Sequence, residues 1–154
     1  MQSKKPSLSA VITVRKGSQR VKNKNFKKFY KKNLLEYKIE VLKKVKNLDK
    51  IIVNTDSDKA IRIAKKFNID YHKRDKFFAS SACKNSDFWQ HIAENTKSEY
   101  IMFTHCTNPF VKIKTYEKFI KIFKKFKNTY DSFNTVTNVK EFLYIKNRPI
   151  NFNP

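Results

Sequence analysis

Glycine and tryptophan each occur once in the 154 residues, cysteine twice and proline four times. One glycine cannot build the GxGxxG or GxxxxGK[ST] loops, so a dinucleotide fingerprint and P-loop hydrolysis find no support. Cys83 and Cys106 have no CxxC or CxxH spacing, which excludes a zinc motif or a disulfide framework. Both are expected to be reduced, small packing residues. No apolar run approaches the roughly 18 to 20 residues of a membrane-spanning helix. The opening MQSKKPSLSA is basic but lacks the apolar core and cleavage site of a secretory signal, so the expected location is cytoplasmic, with no membrane partner. Acidic residues are few as well: 13 against 35 Lys plus Arg, a formal net charge of +22. An anionic partner or substrate follows, without saying which anion. The excess is mostly lysine, as an AT-rich coding sequence produces without selection for anion binding. Pairs such as Lys27-Lys28, Lys43-Lys44, Lys65-Lys66 and Lys124-Lys125 fall on expected solvent faces of helices. Full disorder is excluded by 14% aromatic residues in regular apolar spacing.

The chain is long enough for one core and is expected to form a single domain over residues 1–154. Its apolar period alternates between strand and helix. LSAVITV (residues 8–14) has the β-branched composition of a strand buried on both faces. A cationic loop, 15–32, follows. Asn33 is expected to cap a helix with Leu34, Tyr37, Val41 and Val45 on its inner stripe and Glu36 in the capping-box position. Residues 50–54 predict a second strand. Ser57 opens a helix with Ala60, Ile61, Ala64 and Phe67 inward, and 69–72 predict a third strand. After the polar loop 73–85, Ser86 starts a helix holding Trp89, Ile92 and Ala93, and 100–104 predict a fourth strand. Thr115 caps a helix with Phe119, Ile120, Phe123 and Phe126 on one stripe. Two more strand-like runs cover 132–137 and 141–145, and Lys146-Asn147-Arg148-Pro149 reads as a turn. Strands separated by helices require parallel pairing, which predicts an α/β fold: a doubly wound, mainly parallel sheet in a Rossmann-like three-layer αβα sandwich. Ligands in such sheets bind outside the carboxyl ends of the strands. The long polar loops 15–32, 73–85 and 105–114 leave those ends.

Gly17 stands three residues after the first strand, where the backbone must take positive φ or approach a ligand closely. Arg15, Lys16, Arg20, Lys22 and Lys24 surround it, with Ser18 and Asn25 as neutral hydrogen-bond partners. Turn amides with converging Arg and Lys suit a polyphosphate.

VITVRKGSQRVKNKN resembles the opening signature of the acylneuraminate cytidylyltransferases, the CMP-sialic acid synthetases and relatives acting on other sugar acids. That signature runs close to A-R-x-G-S-K-G-I-x-x-K-N, matched or conservatively replaced at Arg15, Gly17, Ser18, Val21, Lys24 and Asn25. LLEYKIEVLKKVKNLDKIIVNTDSDKAIRIAKKFNIDYHKR is similar to the family's helix, strand, S-T-D-S and helix, ending in a strand followed by an arginine, here Arg74. FTHCTNPFVK resembles the L-L-Q-P-T-S-P-L-R stretch. The resemblance implies a nucleotide-diphospho-sugar transferase-like fold and transfer of CMP from CTP to a nonulosonic acid, releasing pyrophosphate, in surface glycan biosynthesis. It implies nucleotide-binding roles for Arg15, Lys16, Gly17, Ser18, Arg20, Lys24, Asn25 and Arg74, with Arg15 and Lys24 in catalysis, and substrate contacts at His105, Thr107 and Asn108. Gln19 replaces a lysine and Ser81 a carboxylate of the pattern; Val111 replaces an arginine, pointing to a subfamily with another acceptor.

The resemblance also implies Mg²⁺, with carboxylates from a D-x-D-like element beyond Pro154, and a homodimer of a full-length form. Asp56 and Asp58 form a local D-x-D, which reads as a strand end and helix N-terminus. The expectation is therefore a C-terminally truncated nucleotide-binding part with weak or no turnover alone. Two alternatives stay open: an inactive nucleotide-binding subunit, and a basic nucleic-acid-binding protein. The latter is disfavoured because the aromatics sit at core spacing.

Overall fold

The computed structural model describes residues 8–18, 21–136 and 141–153. Gln19, Arg20 and Thr137 lie outside them. By its internal contacts the chain divides into one compact unit up to Lys121 and another from Ile122 onward.

In the first unit, β1 (Leu8–Val14) is followed by a 3-10 turn at Lys24–Phe26 and a small antiparallel hairpin, β2 (Lys28–Phe29) and β3 (Lys32–Asn33). Then come α1 (Leu34–Lys43), β4 (Lys50–Thr55), α2 (Asp58–Lys66), β5 (Asp70–Lys73), a 3-10 turn at Phe77–Ala79, α3 (Asn85–Thr96), β6 (Tyr100–Thr104) and α4 (Ile113–Phe126), whose residues 122–126 are counted with the second unit. β5, β4, β1 and β6 form a parallel sheet in that order. The chain steps outward from β1 to β4 to β5, then returns to add β6 on the other side of β1. Strand order thus reverses at the carboxyl ends of β1 and β6, as the doubly wound expectation requires.

Side chains alternate across this sheet. Ala10, Ile12 and Val14 of β1, with Val53 of β4, face a core closed by Leu35, Ile39 and Leu42 of α1, Ala60, Ile63 and Ala64 of α2, and Ile120 of α4. Val11 and Ile52 face the other way, toward Ile92 and Phe88 of α3. The three layers are therefore present, with three helices on one face and one on the other. β1 runs through both cores, which explains its unbroken β-branched run.

The capping box forms as expected: Glu36 N–H donates to Asn33 Oδ1 at 3.0 Å, and Asn33 N–H donates to Glu36 Oε2 at 3.1 Å. The inner stripe of α1 is displaced by one residue from the expected one. Leu35, Lys38, Ile39 and Leu42 are buried, whereas Leu34, Tyr37 and Val41 are only half-buried; Val45, just past the helix end, is buried as expected. A lysine on the true stripe made the neighbouring apolar one look better. On α2, Ile63 joins the expected Ala60, Ile61 and Ala64, and Phe67 is half-buried beyond the helix end. On α3 the inward residues are Phe88, Ile92 and Thr96; Ala93 is exposed, and Trp89 leans edge-on against Phe103 of β6. α4 begins at Ile113, so Thr115 lies in its first turn rather than capping it; Ile120 is its buried residue, with Phe119, Phe123 and Phe126 half-buried.

In the second unit, residues 132–136 carry no strand, and of 141–145 only β7 (Tyr144–Ile145) pairs, antiparallel with β8 (Arg148–Pro149). The turn between them has Lys146 and Asn147 both at positive φ, the geometry of a two-residue hairpin loop. With no partner strand supplied, apolar alternation alone did not make a strand of 132–136. Elsewhere, asparagines at 23, 47 and 68 take left-handed turns. This chain therefore makes turns with Asn where others use Gly. The paired lysines at 27–28, 43–44, 65–66 and 124–125 are all exposed. Among the described residues no helix is long and apolar enough to cross a membrane.

Candidate functional site

A cavity of about 460 Å³ opens at the carboxyl ends of the strands. Its wall is built from three loops. Arg15, Ser18, Lys24 and Asn25 come from the loop after β1, Arg74 from the end of β5, and His105 and Thr107 from the loop after β6. Parallel strands with a common carboxyl edge bring these distant positions together. Gly17 has φ +75, and a Cβ there would meet nothing within 4 Å, so the backbone conformation is what requires glycine. Lys16 and Gly17 shape the bend without lining the cavity; Asn108 lines a neighbouring cavity; Arg20 lies outside the described residues.

Arg74 is buried and held by several partners. It is 5% exposed; Nη1 donates to Asn54 Oδ1 at 2.9 Å and Nη2 to the Val14 carbonyl at 3.2 Å. The guanidinium lies 5.1 Å over the Phe88 ring and 3.9 Å from Asp56 Oδ1. Burial lowers its pKa, Asp56 opposes that, and Arg15 adds to it. Nε has no partner although buried. Arg74 thus ties β5 to β4 and β1, and its Nε–H stays buried without a partner.

Asp56 also accepts the Lys16 backbone N–H at 2.8 Å, pinning the start of the cationic bend to the end of β4. Asp58 pairs with Lys73 at 2.9 Å. The local D-x-D is therefore occupied with structural contacts, as its sequence context implied. Sequence reasoning missed the far wall, where Phe78, Ser80 and Phe88 contribute, and it took Cys83 for packing although it is half-exposed on that wall. No periodicity marks loop residues of this kind. Cys106 does pack as expected: it is 2% exposed, and burial pushes its thiol up to about 12.

A second cavity, about 750 Å³ and largely apolar, adjoins the first through Lys24 and Thr107, which line both. Phe29, Leu34, Pro109, Phe110 and Val111 form its walls, with Lys112 and Asn108 at its edge. Phe29 meets Phe110 edge-to-face at 5.8 Å, although Phe110 is 80% exposed.

Behind Arg74 the network continues to titratable groups. Asn54 Oδ1 accepts from Arg74, so its Nδ2 is the atom 2.9 Å from His72 Nδ1, which must accept and hence be unprotonated. His72 contacts His91, whose ring stacks on Phe78 at 3.7 Å. Burial lowers the pKa of both histidines, and Arg74 lowers each further. A lowered native pKa means the unfolded chain binds more protons below about pH 6.5, so stability falls as pH drops through that window. Urea midpoints measured from pH 7.5 to 5 should decline, and His72→Gln should flatten the decline. An equal decline in the variant would remove His72 from the acid response.

A sequence model of a family described as Cytidylyltransferase matches residues 9–151. Among curated relatives, an N-acylneuraminate cytidylyltransferase from Escherichia coli O18:K1:H7 is 31% identical over 102 residues, 66% of this chain and 24% of the relative. A Helicobacter pylori protein named as a pseudaminic acid cytidylyltransferase and UDP-2,4-diacetamido-2,4,6-trideoxy-beta-L-altropyranose hydrolase is 34% identical over 62 residues, 40% of this chain and 12% of the relative. A solved CMP:2-keto-3-deoxy-manno-octonic acid synthetase complexed with CTP has the same fold, with TM-score 0.64 and 14% identity over 77% of this chain and 48% of that one. The chain thus spans a quarter or less of these curated relatives and about half of that structure.

Proposed function

From the premise that the chain belongs to the cytidylyltransferase family, we propose that it binds CTP and transfers CMP to a nonulosonic, sialic-acid-like sugar acid, releasing pyrophosphate, for surface glycan biosynthesis. The observation that carries this reading is the convergence of Arg15, Ser18, Lys24, Asn25 and Arg74 on one polar cavity at the strand-order reversal, beside an apolar cavity that shares Lys24 and Thr107. The polar cavity takes the nucleotide. The apolar one takes the acceptor, whose acyl or methyl substituents suit the Phe29 and Phe110 walls. The two curated relatives act, by their names, on N-acylneuraminate and pseudaminic acid.

In the reaction, the acceptor's anomeric hydroxyl oxygen forms a bond to the α-phosphorus while the bond to the pyrophosphate oxygen breaks, and the hydroxyl proton leaves to solvent. Negative charge grows on the phosphoryl and departing oxygens. Arg15 and Lys24 are placed to stabilise that charge, and donors fixed before the reaction begins do so without reorganising. Ser18 and Asn25 supply neutral hydrogen bonds to the nucleotide, and Arg74 lines the same cavity. Lys24, on the wall between the cavities, faces both reactants.

Mg²⁺ is the metal expected for this chemistry, where it would neutralise triphosphate oxygens. The cavity wall among the described residues carries no carboxylate, and no group of three or more potential ligands occurs among them. These residues do not by themselves make a Mg²⁺ site, and no step is assigned to one. The same observation supports a second reading, in which the chain binds nucleotide and turnover needs carboxylates supplied from outside it.

The deciding experiment incubates the chain with CTP labelled at the α-phosphate, Mg²⁺ and a panel of nonulosonic acids. A labelled CMP-sugar supports transfer; CTP binding without product supports the second reading. If calorimetry finds no CTP binding, both readings fail.

A further inference from the structure

Lys38 sits on the inner stripe of α1 and is 2% exposed. Its Nζ donates to the Asn108 carbonyl at 2.9 Å and to Tyr116 Oη at 2.5 Å. The ammonium also lies 5.1 Å from the centre of the Tyr116 ring. Among the described residues no carboxylate pairs with it. Burial lowers its pKa, partly offset by the neighbouring Cys106, and burial pushes the Tyr116 hydroxyl up to about 12. A buried ammonium without a counter-ion is costly to keep, and an apolar side chain of similar volume would cost less. Its retention calls for a task that an apolar residue cannot perform.

The contacts show what that task is. Asn108 lies in the loop between β6 and α4, which has no strand partner; the His105 and Lys112 carbonyls accept local backbone N–H groups, and the Asn108 carbonyl accepts from Lys38. This loop carries His105 and Thr107 on the nucleotide cavity and Thr107, Asn108, Phe110 and Val111 on the apolar one. Lys38 reaches the loop from beneath and joins it to α1 and α4. We propose that Lys38 is a positioning residue: its buried ammonium holds the β6–α4 loop as the wall common to the two cavities and thereby sets the acceptor subsite. The consequence for the acceptor rests on the function proposed above; the anchoring of the loop does not.

Cys106 provides a readout independent of activity, since this buried thiol belongs to the same loop, while Cys83, outside that loop, is already half-exposed. N-ethylmaleimide labelling of the whole chain, resolved by peptide mass spectrometry, should be at least tenfold faster at Cys106 in Lys38→Met and unchanged at Cys83. Loss of the ammonium makes the Cys106 thiol harder to ionise, so faster labelling reports access and not acidity. Lys38→Arg, which keeps charge and donors, should stay closer to the original rate. Tyr116→Phe, which removes one of the two acceptors, should give a smaller increase and serves if Lys38→Met does not fold. N-acetylneuraminate affinity with CTP present should fall at least tenfold in Lys38→Met, with CTP affinity alone within twofold. Cys106 labelling within twofold of the original in both Lys38→Met and Tyr116→Phe overturns the proposal, as does an equal loss of affinity for both ligands. If the unaltered chain binds no CTP, the functional reading fails separately, and the labelling still decides whether Lys38 anchors the loop.

Discussion

Replacing Arg15 or Lys24 by alanine should weaken CTP binding by about 1 to 3 kcal/mol each, the scale of a hydrogen bond to a charged group. Both side chains line the polar cavity proposed to take the nucleotide, and neither holds the sheet together. The loss should therefore appear in calorimetric affinity with little change in the urea midpoint. Part of it is Coulombic, so raising salt should narrow the gap between the original chain and each variant. Because both residues line one cavity and share the triphosphate as partner, the double variant should depart from the sum of the single losses. Affinity unchanged in both single variants would detach the cationic bend from phosphate binding.

Arg74 should behave in the opposite way. Arg74→Met should cost about 3 to 5 kcal/mol of stability, as when one partner of a buried ionic network is removed. The Val14 carbonyl and Asn54 Oδ1 lose their donors, and Asp56 loses its buried cation. Arg74→Lys should recover little, because one ammonium cannot reproduce the planar fork that spans β1 and β4. Chemical denaturation of both variants measures this. A loss below about 1 kcal/mol in Arg74→Met would show that the network is dispensable to the fold. Together the experiments separate cations that serve the ligand from the cation that serves the scaffold, though all three line one cavity.

The difference between Arg74 and Arg15 could not be read from the chain. Both are arginines that follow a strand and match a family position. Only the sheet register, which sets Asn54 opposite His72 and Thr55 opposite Lys73, shows that Arg74 turns back across β4 toward β1. Lys38 is a parallel case. Its burial hid the true stripe of α1, since a lysine between Leu35 and Ile39 reads as solvent-facing until Asn108 and Tyr116 are placed above it.

The order of the four sheet strands and four α-helices, the capping box at Asn33, the bend at Gly17 and the common side of the three cationic or polar loops were all determined by the amino-acid sequence alone, whereas the small hairpin at 28–33 was not. Each depends on local rules: alternation, capping and the φ that glycine permits. Tertiary structure decided which helix stripe faces the core, that residues 132–136 make no strand, that Cys83 lines a wall, and that an apolar second cavity lies beside the first. Those outcomes depend on contacts between residues far apart in the chain, where the environment of a side chain, more than its type, decides whether it is buried and what it bonds.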